Sequence, residues 1–110
     1  MDTTWTSPLT VGAGHPAFDG HFPGRPVLPG VALLAEVLEA AFAEPALARG
    51  LGPAPRLLAA KFFVPVAPGV SLAIIWHATA KSLDWRVSDG THDVASGQFA
   101  RSDAAPAATP

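Results

Sequence analysis

The chain contains no cysteine, so neither disulfides nor thiolate chemistry can contribute, and its composition is compatible with a reducing compartment. Nor is there a concentration of positive charge. Seven basic residues against nine acidic ones give a net charge of −2, and the basic residues are scattered, so the footprint of a nucleic-acid binder is missing. The N-terminus, MDTTWTSPLT, lacks the basic and apolar regions of a leader. The richest apolar run is interrupted by Glu36 and Glu39, which argues against a membrane span. These features lead to the expectation of a soluble, cytoplasmic protein. His15, His21, His77 and His92 show no HxxxH or HxH spacing and no accompanying carboxylate set, so no metal or other cofactor is expected. No internal repeat is visible.

With 110 residues, 49% of them hydrophobic, the chain has the size of one domain, which buries roughly two thirds of its unfolded surface. Residues 3 to 11 lean towards a short strand, with Pro8 marking an edge position. A loop from Gly12 to Pro29 follows. Gly30 then opens a helical pattern running to about Glu44, where Pro45 is expected to stop it. This helix is apolar almost all round and therefore has to be enclosed.

The remaining segments, 56–66, 70–81, 84–89 and 91–101, read as strands. A turn is expected at Ala67-Pro68-Gly69 and a two-residue hairpin at Asp89-Gly90. In the second of these segments Leu72, Ile74, Trp76 and Ala78 share one face. One antiparallel sheet wrapped around one long helix satisfies these patterns together, an α+β architecture. The domain is expected to end near residue 102, and DAAPAATP from 103 reads as a disordered tail.

The stretch HPAFDGHFPGRPVLPGVALL, then KFFVPVAPGVSL, and the closing hairpin resemble the FabZ/FabA-type 3-hydroxyacyl-ACP dehydratases, including the small dehydratases of aryl polyene pathways. The resemblance spans roughly residues 8 to 102 and implies the hotdog fold. It also implies that His21 is the catalytic base and that the Gly30 N–H, at the start of the central helix, holds the thioester carbonyl. A homodimer paired edge to edge through its sheets is implied as the working unit, with a heterodimer as the variant. The substrate would arrive on the phosphopantetheine of an acyl carrier protein or on CoA. Arg25, Arg56, Lys61 and Arg86 are candidates for meeting an acidic carrier.

The chemistry supports these roles. Dehydration needs a base, an enolate stabiliser and an acid. An imidazole suits the first and contributes ~10²–10⁴ in rate, while a helix N-terminus offers unpaired donors to a developing oxyanion. The closely spaced prolines stiffen the lead-in between His21 and Gly30. Phe22, Val31, Leu34, Phe62 and Phe63 are candidate walls of an acyl slot. His15 is a surface or rim residue on this reading, His77 and His92 are surface positions, and Trp76 and Trp85 belong to the core or an interface.

In one respect the pattern departs. Fourteen residues after the histidine, where the family has aspartate or glutamate, stands Ala35, and alanine cannot protonate a leaving hydroxyl. Glu39 is one turn along the same helix face, where many family members carry glutamine, and is the preferred replacement. Glu36 points about 100° away. Three activities follow: a dehydratase with a displaced acid, a non-catalytic partner for an active dehydratase, or a hotdog acyl thioesterase.

Overall fold

The computed structural model describes residues 3–12 and 28–101. Their elements are β1 (Thr3–Thr10), α1 (Gly30–Phe42), α2 (Pro45–Leu51), β2 (Leu57–Phe62), β3 (Ser71–Ala78), β4 (Ser82–Ser88) and β5 (Asp93–Ala100). The strands form one antiparallel sheet in the order β1-β3-β4-β5-β2. Pro8 accordingly sits on an edge strand, where its missing N–H costs no ladder bond. The other edge is β2. The expected tail from 103 lies outside the described residues.

Alternation along β3 turns Leu72, Ile74, Trp76 and Ala78 inwards, and all four are buried, as the period-2 pattern required. The register places all three tryptophans in a single row. Trp5 stands opposite Trp76 and Trp76 opposite Trp85; the row then continues through Gly97 to Ala60. Side-chain volume therefore falls from the β1 edge to the β2 edge.

Helix α1 buries Leu33, Val37 and Ala41, an i, i+4, i+8 stripe that packs into the same core as Trp76, Trp85 and Phe99. The opposite stripe is open, contrary to the expectation of full enclosure. Val31 is 78% exposed and Phe42 41%, with Ala35 and Glu39 exposed between them. A single sheet covers only one side of a helix, and nothing in this chain's described residues covers the other.

Two local expectations are corrected. The helix ends at Phe42, and Pro45, taken as a stop, instead occupies the first turn of α2, where a proline lacks nothing because that N–H has no intrahelical partner. The turn after Asp89 is longer than two residues. Asp89 N donates to the His92 carbonyl at 3.1 Å, and the Asp89 carboxylate accepts from the Thr91 and His92 amides at 2.8 and 2.7 Å. An aspartate able to bond its own downstream backbone favours this wider loop, with Gly90 at φ 96°. The turn at 67–69 forms as expected, with Gly69 at φ 77° and its N–H bonded to the Val11 carbonyl at 2.9 Å.

Candidate active site

The end of the GHFPGRPVLPG motif is anchored by backbone. The Leu28 N–H donates to the Val66 carbonyl at 2.8 Å, an isolated antiparallel bridge tying the lead-in of α1 to the VPV segment that follows β2. Pro29 then caps α1 from an extended conformation (φ −60°, ψ 148°). Its carbonyl accepts from the Ala32 and Leu33 amides at 2.9 and 3.0 Å. The amides of Gly30 and Val31 precede the first of these bonds and have no acceptor among the described residues, the usual condition of a helix's first turn.

Beside those amides lies a cleft of about 340 Å³. Pro29, Gly30 and Leu33 line one side, and Phe62, Phe63 and Val64 the other. The cleft is therefore largely apolar, with helix-terminal N–H groups at its rim, a combination suited to an apolar chain ending in a carbonyl. Gly30 is a close approach: a Cβ there would stand 3.2–3.3 Å from three carbons of the Phe62 ring.

Of the residues singled out from sequence, the structure brings Gly30, Phe62 and Phe63 together in this cleft. Val31 points away from it into the open stripe, and Leu34 is partly buried against the core. His21, Phe22, His15 and Arg25 lie outside the described residues. Glu39 is exposed, one turn from Ala35. No described residue of this chain encloses it. Leu28, Leu33 and Val64 were missed as lining residues, although the VPV turn had signalled that part of the chain.

Away from the cleft, His77 is 4.0 Å from Asp84 and His92 3.6 Å from Asp89, both partly exposed ion-pair positions of small energetic weight. Arg56, Lys61 and Arg86 are exposed, and Arg86 lies 3.7 Å from Asp93. Among the described residues no three histidine, aspartate or glutamate side chains gather as a metal site. No described helix is long and apolar enough to cross a membrane.

The ApeI-like family model, described as ApeI dehydratase, matches residues 1–98. The chain belongs to the ApeI-like dehydratase family. Among solved structures it is similar to the dehydratase heterocomplex ApeI:P from Xenorhabdus doucetiae, with a TM-score of 0.69 and 25% identity over 89% of this chain and 86% of that one. It is also similar to an uncharacterized protein from Erwinia carotovora subsp. atroseptica, with a TM-score of 0.61 and 30% identity over 89% and 82%. The fluoroacetyl-CoA thioesterase FlK shares the fold at a TM-score of 0.56 and 20% identity, covering 90% of this chain and 83% of that one. No curated protein matches the sequence. The fold of this ApeI-like protein is the α+β hotdog fold implied by its sequence resemblance.

Proposed function

We propose that this ApeI-like protein dehydrates 3-hydroxyacyl thioesters carried by an acyl carrier protein, working as one half of a dimer. The observation carrying the reading is the coincidence, at the Gly30 end of α1, of amides with no acceptor among the described residues, an apolar cleft and the end of the GHFPGRPVLPG motif. His21 removes the proton next to the thioester carbonyl, and the charge passing to the carbonyl oxygen is met by the Gly30 amide. Such a donor is typically worth ~10²–10³ in rate. An acid gives its own proton to the β-hydroxyl, which leaves as water as the double bond forms, and proton transfer from His21 to that acid resets both groups.

Glu39 is the candidate acid. It shares a stripe with Ala35, so a partner chain covering that stripe would enclose it beside the substrate, within reach of the leaving hydroxyl. Two features support a partner at this place. Strand β2 is a sheet edge with Leu57, Leu58, Phe62 and Phe63 41–55% exposed, and Val31 and Phe42 extend the apolar surface onto α1. An edge strand with that composition is a site for pairing unless covered.

A second reading rests on Ala35: the chain is the acid-deficient member of a heterodimer whose partner supplies the acid. The ApeI:P heterocomplex supports that form of assembly. Incubating the purified chain with a 3-hydroxyacyl-ACP and following the enoyl product separates the readings. Turnover lost in His21→Ala supports the self-sufficient enzyme. Turnover appearing only with a co-expressed homologous dehydratase supports the second, and hydrolysis of acyl-CoA without loss of water would replace both with a thioesterase.

A further inference from the structure

A second cavity lies at the end of the sheet remote from the Gly30 cleft. Ala78 stands opposite Leu83 and Leu83 opposite Phe99, whereas the cleft residue Phe62 stands opposite Ala95. The span from Ala95 to Phe99 along β5 therefore separates the two sites, roughly 13 Å at strand rise. They share no lining residue.

This cavity holds about 190 Å³ between α2 and the sheet. The small residues Ala46, Gly50 and Ala78 leave open a space bounded by Trp5, Leu47, Leu51 and Leu83. A cavity of about 150 Å³ in a protein core is enough to take up benzene, so this one admits an apolar body of about six carbons.

Arg101, half-buried, brings the cavity its charge. Its Nη1 donates to the Thr79 carbonyl at 2.9 Å, and its Nε and Nη2 lie 3.2 and 3.3 Å from the point that a Cβ at Gly50 would occupy. The guanidinium thus rests against the α2 backbone because position 50 has no side chain to displace it. The Thr79 carbonyl is neutral, so this bond orients the group and leaves its positive charge in place at every working pH. A fixed cation on the wall of an apolar space matches one chemistry, a carboxylate carried on a small apolar body.

We propose that this cavity binds a small carboxylic acid, with an apolar body of about six carbons inside it and the carboxylate on Arg101. The site is separate from the acyl-thioester cleft, and the proposal does not depend on that reading.

The test titrates the full chain with hexanoate and with hexanamide, which has the same apolar body and no charge, and follows binding by calorimetry and amide NMR. Hexanoate should saturate the chain with a Kd in the millimolar range or below, and should bind roughly tenfold more tightly than hexanamide. Shifts should centre on Trp5, Gly50, Leu83 and Arg101. Arg101→Gln should erase the preference for the acid, and Arg101→Lys should keep part of it; a ratio of affinities is insensitive to a general loosening of the fold. Ala46→Phe, at an exposed position of α2, should block binding while moving the melting temperature by no more than about 4 °C. Absence of saturable binding, equal affinity for acid and amide, a preference that survives Arg101→Gln, binding that survives Ala46→Phe, or shifts centred on Gly30 and Phe62 would each overturn the proposal. None of these outcomes counts against the thioester reading.

Discussion

The Phe62 ring lies against the backbone of Gly30, with three ring carbons 3.2–3.3 Å from the point a Cβ would occupy. This contact sets the width of the cleft beside the helix-terminal amides. Gly30→Ala should push the ring aside at a cost of about 1 kcal/mol and lower turnover of a 3-hydroxyacyl-ACP more than it lowers the melting temperature. Adding Phe62→Ala to the same chain should recover part of the loss, because the ring no longer needs the space. Steady-state kinetics and thermal unfolding of the two variants check this.

The exposed positions of Ala35 and Glu39, one turn apart on α1, give the acid its own test. Glu39→Gln should lower kcat about 10²-fold, the lower end of what a general acid contributes. Its stability should change by no more than about 0.5 kcal/mol, as for other surface substitutions. Adding Ala35→Asp to Glu39→Gln should restore most of the rate by returning a carboxylate to the family position. The rates of enoyl formation by wild type, single and double variants decide it.

In the proposed dimer, assembly would use the β2 edge. Leu58 and Phe63 are 45% and 55% exposed, and lysine at both positions should block pairing of that edge. Sedimentation of wild type and the double variant should show a dimer and a monomer, with the dehydratase activity lost in the monomer.

The β4–β5 loop carries a defined pH dependence. The His92 and then the Thr91 amides, bonded to the Asp89 carboxylate, hold its pKa below the ordinary value of 3.8. A lowered carboxylate pKa stabilises the fold above the ordinary value, and that contribution is lost as pH falls through the folded one. Acid titration followed by amide exchange should show Thr91 and His92 losing protection in this range. Asp89→Asn should abolish that dependence.

Much of the fold was legible because burial imposes simple periods. Leu72, Ile74, Trp76 and Ala78 alternate, and Leu33, Val37 and Ala41 recur each turn, so the sheet and central helix could be read directly. Pro45 misled because a proline that cannot continue one helix is well suited to begin another. The open stripe of α1 was illegible because apolar composition says that a surface must be covered and not by which chain. At the site, Gly30, Phe62 and Phe63 could be placed from the motif. Leu28 and Val64 could not, since their position depends on a single backbone bridge between segments far apart in sequence. Trp85 was read as a core or interface residue, and it is buried in the core beside Trp76.

The most direct test of the central claim, that His21 and the Gly30 amide together enolise a bound acyl thioester, is deuterium exchange. The chain, alone and with a co-expressed homologous dehydratase, is incubated with a 3-hydroxyacyl-ACP in D₂O and the carbon next to the carbonyl is followed by mass spectrometry. Deuterium should enter that carbon in the wild type and in Glu39→Gln, and should fail to enter in His21→Ala. Exchange no faster than in His21→Ala, in both assemblies, would contradict the account.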